Sequence, residues 1–269
     1  MTRSIRIPAL LAATALGLAA LAGCSGSAPS PSDSPEASAS ASDELGGELT
    51  IFAAASLTAA FDELAAAFEA QHPDVDVLPI SYDGSSVLAT QLIEGAEADV
   101  FASADEKNLA KVTDAGLADA GEPFATNVLQ IAVAPGDPKG VKTLADLADP
   151  GLTVVVCAAE VPCGSASRTL LDAAGVTLTP ASEEQNVTAV LSKVKSGEAD
   201  AGLVYATDVE AASDAVTGIE IDGADAATNV YPIAELSASK NPDTAHAFLV
   251  FVLSDAGQKV LASHGFGAP

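Results

Sequence analysis

Residues 50–61 read TIFAAASLTAAF, and how this stretch is divided decides the fold. Residues 49–54, LTIFAA, are a short apolar run of the kind that forms a buried strand. Directly after it, Leu57, Phe61, Leu64 and Phe68 recur at helical spacing along one face. Ser56 stands between the two patterns, in the position of a helix N-cap. Residues 81–95, SYDGSSVLATQLIEG, repeat the arrangement: Gly84 permits a sharp turn, Ser85 and Ser86 follow it, and Gly95 stops the helix carried by Leu88 and Leu92.

The same alternation continues along the chain. Residues 75–80 (VDVLPI) and 98–104 (ADVFASA) read as strands, and Asp105 is a good N-cap for the helix after the second. Residues 127–135 are a longer strand and open a second series. It holds strands at 152–159 and 199–206 and helices at 164–175 and 186–197, with a short strand at 218–221. Residues 229–236 form a last strand before a helical C-terminus from about Pro242 to Leu261. Strand and helix in alternation predict α/β architecture with mostly parallel sheets flanked by helices. Residues 127–135 and 229–236 are the two places where the chain would pass between two lobes, although the pattern also fits one larger doubly wound sheet.

The chain has 269 residues, enough for two modest domains. It carries 37 acidic against 11 basic residues, a formal net charge of -26, which argues against nucleic acid as a partner. Aromatic residues are 4% and Trp is absent, so the core must rest on Ala, Val, Leu and Ile.

The first 23 residues read as a leader and not as fold. Arg3 and Arg6 precede an apolar run that ends at Cys24 in LAGC. This resembles a bacterial lipoprotein signal, which implies cleavage before Cys24 and a lipid on its thiol. A plain secretory signal or an uncleaved anchor are the alternatives. Residues 24–44, rich in Ser, Ala and Pro, read as a disordered tether. In an exported chain the remaining pair, Cys157 and Cys163, reads first as a disulfide, with a metal site as the alternative and no His nearby in sequence.

Ser56 and Ser85 pose a chemical question, because both lie where a strand's carboxyl end meets a helix. That is where ligands bind in open α/β sheets, and free first-turn amides there favour an anion. A serine nucleophile is the competing reading. Ser85 lacks the G-x-S-x-G elbow, however, and its candidate partners His246 and His264 lie in the terminal helical stretch. No phosphate-binding glycine loop and no H-E-x-x-H is present. A purely adhesive surface domain is a third possibility.

Several blocks are similar to the periplasmic molybdate-binding proteins of ABC importers: residues 50–69, 84–105, 160–164 (EVPCG), 186–208 and 231–236 (YPIAEL). The resemblance runs from about Leu49 to the C-terminus. It implies a two-lobe periplasmic-binding-protein fold (type II), with 45–128 plus 229–269 in one lobe, 129–228 in the other, and the ligand between them. It implies that an oxyanion is held by the hydroxyls of Ser56, Ser85 and Tyr205 and by the backbone amides of Cys163 and Val187. It further implies molybdate or tungstate as ligand, no cofactor, no cationic metal site, no catalysis, a membrane permease as partner, a monomer, and a location on the outer face of the cell membrane. Receptors for sulfate or another small anion are the nearest alternative. None of the five positions is basic or acidic, which favours a fully deprotonated anion over phosphate.

Overall fold

A computed structural model describes residues 45–269; the expected leader, Cys24 and the tether lie outside the described residues. In chain order the first part holds β1 (Gly47–Leu49), β2 (Ile51–Ala54), α1 (Thr58–Gln71), β3 (Val75–Val77), β4 (Ser81–Asp83), α2 (Ser85–Ile93), β5 (Val100–Ala102), α3 (Glu106–Asp114) and β6 (Glu122–Asn127). The middle holds β7 (Leu129–Val133), β8 (Val154–Cys157), α4 (Pro162–Ala173), β9 (Ser182–Glu184), α5 (Val187–Ser196), β10 (Ala201–Tyr205), α6 (Ala206–Ala211) and β11 (Thr217–Glu220). The chain closes with β12 (Asn229–Glu235), α7 (Pro242–Leu253) and α8 (Asp255–Ser263).

Two five-stranded sheets carry these elements, ordered β4-β2-β5-β12-β6 and β11-β7-β10-β8-β9. In the first sheet β12 alone runs against its neighbours; in the second, β7 alone does so. Each reversed strand is the first one made after the chain has passed from the other sheet. The passage outward is a single residue, Val128, between β6 and β7. This is the two-lobe fold, with sheets flanked by helices. A small third pairing joins β1 to β3 in parallel.

Burial explains why these segments became strands and helices. Along β2, Ile51 and Ala53 enter one core cluster while Phe52 enters another on the opposite face, as the two-residue period of a strand requires. Leu57, Phe61, Leu64 and Phe68 are all fully buried. The rings of Phe61 and Phe68 meet Phe248 of α7 at 6.1 and 5.3 Å, and Phe61 meets Phe124 of β6 at 5.7 Å. This cluster fastens the C-terminal helices to the first lobe. Asp105 caps α3 by accepting from Asn108 N at 2.8 Å, and Gly95, at φ +101°, follows the end of α2.

Four boundaries differ from the sequence reading. Residues 75–80 form no single strand: β3 stops at Val77, and β4 begins only after Pro79, which has no N–H to donate. The strand β6 was not foreseen, because Pro123 lies inside it; it survives as an edge strand where β12 bulges between Tyr231 and Pro232. The C-terminal helix is two helices, divided at Ser254, whose hydroxyl accepts from Gly257 N at 3.2 Å. Ser56 is not the cap of α1: it sits in a 3-10 turn, Ala55–Leu57, and α1 starts at Thr58.

Replacing Phe248 by Ala should cost about 3–5 kcal/mol, the usual range for a buried Phe. A urea denaturation curve checks this through its midpoint, and an unshifted midpoint would show that the aromatic cluster does not hold α7.

Candidate functional site

Three helices begin at one place. Ser85 is the first residue of α2, Cys163 the second of α4 behind Pro162, and Val187 the first of α5. The N–H groups of a first turn have no acceptor within their own helix, and the positive ends of three dipoles therefore converge. All five positions taken from the resemblance (Ser56, Ser85, Cys163, Val187 and Tyr205) line one small cavity at this point. The space open to the centre of a water-sized sphere is about 10 Å³, close to what a single water needs. Ser56 and Ser85 come from the sheet built on β2, and the other three from the sheet built on β8 and β10.

The hydroxyls are held in different ways. Ser85 is fully buried, and its Oγ accepts from Ala104 N at 2.9 Å. Ser56 Oγ lies 3.0 Å from Tyr231 Oη. Tyr205 Oη is buried and has no hydrogen-bond partner among the described residues. Burial raises the Tyr205 phenol well above its ordinary range, so it stays protonated and able to donate. Cys163 is joined to Cys157 in a disulfide, which ties the first turn of α4 to the end of β8. Gly164, just behind it, has no room for a side chain: a Cβ would overlap the Ala158 carbonyl.

Asp83 also lines the cavity, a carboxylate that the five sequence positions did not include. Its Oδ1 accepts from Gly84 N at 2.7 Å and from Asn186 Nδ2 at 2.8 Å. Asn186 caps α5, so this bond crosses between the lobes, as does Asn108 Nδ2 to Glu160 O at 3.3 Å. Beside it Gly84 packs against the Gln185 carbonyl so closely that a Cβ would overlap it. The lobes are therefore drawn together over the cavity. The turn signal SYDG marked the bend at Asp83 but not its reach across the cleft.

Neither histidine weighed as a partner for Ser85 bonds to it. His246 Nδ1 pairs with Glu235 at 2.7 Å, and His264 Nε2 with Glu63 at 2.9 Å. Arg168, the basic residue nearest in sequence to the site, pairs with Glu183 at 2.7 Å. Among the described residues no group of three or more His, Cys, Asp or Glu side chains could hold a metal ion.

Residues 49–267 match the family described as bacterial extracellular solute-binding protein. The chain belongs to that family. It is 46% identical over 240 residues to the molybdate-binding protein ModA of Mycobacterium tuberculosis H37Rv, covering 88% of this chain and 91% of that one. It is 30% identical over 235 residues to ModA of Haemophilus influenzae, with 82% and 90% covered. In fold it is similar to the periplasmic molybdate-binding protein of Azotobacter vinelandii, with a TM-score of 0.72 at 22% identity, over 82% of this chain and 99% of that chain.

Next to the site, Asp208 at the start of α6 accepts from Tyr205 N at 2.9 Å, and burial pushes its carboxyl up to about 7. In an unfolded chain the same group titrates near 4. Between those values the folded state binds the extra proton, so stability falls as pH rises from about 4 to about 7. In Asp208→Asn that fall should be smaller by about 1–4 kcal/mol. Melting curves of the two proteins across this range check it, and parallel curves would mean that Asp208 is ionised throughout.

Proposed function

We propose that this chain is the solute receptor of an ABC importer for molybdate, with tungstate as a second ligand, and that the anion binds between the lobes at Ser56, Ser85, Cys163, Val187 and Tyr205. The observation that supports this best is the meeting of those five positions in one cavity, around a buried Tyr205 hydroxyl with no hydrogen-bond partner among the described residues. Among the described residues no Lys or Arg lines it. A tetrahedral dianion needs donors, and amides and hydroxyls supply them without a cation. Such donors count for more where water is excluded.

In this reading the lobes are residues 45–128 with 229–269, and residues 129–228. Two donors come from the first and three from the second, so the anion bridges them and favours the closed arrangement. The closed form is then what a membrane permease meets. The chain works as a monomer, needs no cofactor and catalyses nothing. It is exported and held at the outer face of the cell membrane by a lipid on Cys24, with residues 24–44 as the tether. Among the described residues no helix is long and apolar enough to cross a membrane.

Asp83 gives one specific reason to test a second ligand. A carboxylate in the lining can accept from a protonated anion, so hydrogen phosphate belongs in the comparison beside sulfate. Calorimetric titration of the purified protein with molybdate, tungstate, sulfate and phosphate decides the matter. One-to-one binding of molybdate and tungstate, far tighter than the other two, is expected. Equal binding of sulfate would move the protein to another importer, and binding of none would leave the cavity without this role.

Ser56→Ala, Ser85→Ala and Tyr205→Phe should each weaken molybdate binding by about 1–3 kcal/mol, as for hydrogen bonds to a charged group. Unchanged affinity in all three would put the anion elsewhere. Reducing the Cys157–Cys163 disulfide should remove about 2 kcal/mol of stability. A calorimetric melt in reductant checks it, and an unmoved melting temperature alongside proven free thiols would remove the disulfide from the account.

A further inference from the structure

Tyr231, in the block YPIAEL, is fully buried on β12, the strand by which the chain returns to the first sheet. Its Oη lies 3.0 Å from Ser56 Oγ and 3.5 Å from Asn127 Nδ2, with the Tyr205 side chain beside it. The Asn127 amide is fixed in orientation, because its Oδ1 accepts from Val128 N at 3.0 Å while its Nδ2 also donates to Thr207 Oγ1 at 2.8 Å. Asn127 Nδ2 is therefore a donor toward Tyr231 and cannot take a proton from it. The phenol is held protonated, since burial raises it far above its usual range. Ser56 Oγ, at 3.0 Å, is the nearest acceptor for its proton.

We propose that Tyr231 is a specificity-determining positioning residue: it donates to Ser56 Oγ and occupies one of its lone pairs, so that the Ser56 proton is directed at the anion. This rests on the molybdate reading of the site. The bonds run in one direction, from Asn127 through Tyr231 and Ser56 toward the cavity, and each donor in such a chain strengthens the next. A hydroxyl otherwise both donates and accepts. Ser56 left free to turn would accept from a protonated anion such as hydrogen phosphate. Fixed as a donor, it serves a fully deprotonated anion and leaves the proton of hydrogen phosphate unpaired, which is costly in a dry site.

The test is titration of the purified wild type, Tyr231→Phe, Ser56→Ala and the double variant with molybdate, sulfate and hydrogen phosphate in mildly alkaline buffer. Tyr231→Phe should lose about tenfold in affinity for molybdate and for sulfate, and less for hydrogen phosphate, so that discrimination between the two classes narrows. In the Ser56→Ala background the same change should add little, because the tyrosine acts through that serine. Unchanged discrimination in Tyr231→Phe, or a full extra loss in the double variant, would overturn the proposal. Wild type that binds no molybdate would instead remove the functional reading beneath it. Should melting show that Tyr231→Phe does not fold, Asn127→Asp replaces it. Its carboxylate would accept the hydrogen bond of the tyrosine, turn Ser56 into a donor toward Tyr231, and again weaken molybdate more than hydrogen phosphate. An equal loss for the two dianions would count against the inference.

Discussion

Asn127 and Asn229 face each other in register on β6 and β12, and the rest of the structure depends on this pair. One residue beyond Asn127 the chain enters the second sheet, and at Asn229 it comes back to the first. Both side chains are buried, where an amide must find partners or incur a penalty. Asn127 finds partners for both ends of its amide, and Asn229 for its Nδ2. Asn127 reaches Thr207 of the second lobe and Tyr231 on β12, while Asn229 Nδ2 donates to Ala104 O at 2.8 Å. Ala104 N in turn holds Ser85, and Tyr231 holds Ser56. Each serine of the cavity is thus set in place from the crossing, so fold and site share one origin.

Charge is organised on two scales. The surface is strongly acidic, and its ion pairs are mostly exposed, such as Lys240 with Glu97 and Arg168 with Glu183, so they contribute little to stability. Within the cavity neutral donors replace cations, and the distant acids are screened beyond roughly 10 Å. Two carboxylates near the site, Asp83 and Asp208, are occupied. Asp83 has Gly84 and Asn186 on one oxygen, and Asp208 has the Tyr205 amide and holds its proton to about pH 7. A site for an anion tolerates acids only when donors or burial restrain their charge.

The fold was legible because its signals are local. The buried face of α1, the cap at Asp105 and the stop at Gly95 each follow from a few neighbouring residues. The mostly parallel sheets followed from alternation, but the reversed strands β7 and β12 and the edge strand β6 did not, since pairing direction and a proline's place at a bulge are set by distant chain. Among site residues, Ser56 and Ser85 were visible as strand-to-helix serines. Cys163, Val187 and Tyr205 needed the resemblance, because a backbone amide leaves no trace in residue type and a tyrosine ending a strand looks like core. The 3-10 turn at Ser56 was hidden for a related reason: its hydroxyl bonds Tyr231, 175 residues away, in place of its own helix. Asp83, Asn127 and Asn229 were missed as well, as their roles lie in bonds between lobes or between crossing strands.

Backbone and side-chain donors differ in what they can guarantee. An amide at a helix start can only donate, so Cys163 and Val187 need nothing behind them except a fixed position, which Pro162, the disulfide and the Asn186 cap supply. A hydroxyl can donate once and accept twice, and a neighbour that donates to it biases which way its own proton turns. For Ser85 that is the Ala104 amide, again a group with no alternative. For Ser56 it is another hydroxyl, which passes the question back one step to Asn127, where the Val128 amide settles it. Tyr205 has no such backing: its Oη has no hydrogen-bond partner among the described residues, and its direction is left to whatever fills the cavity. The two amides are thus committed as donors before any anion arrives, the two serines are turned toward donating by a lone pair already taken, and Tyr205 is the one free to follow the anion.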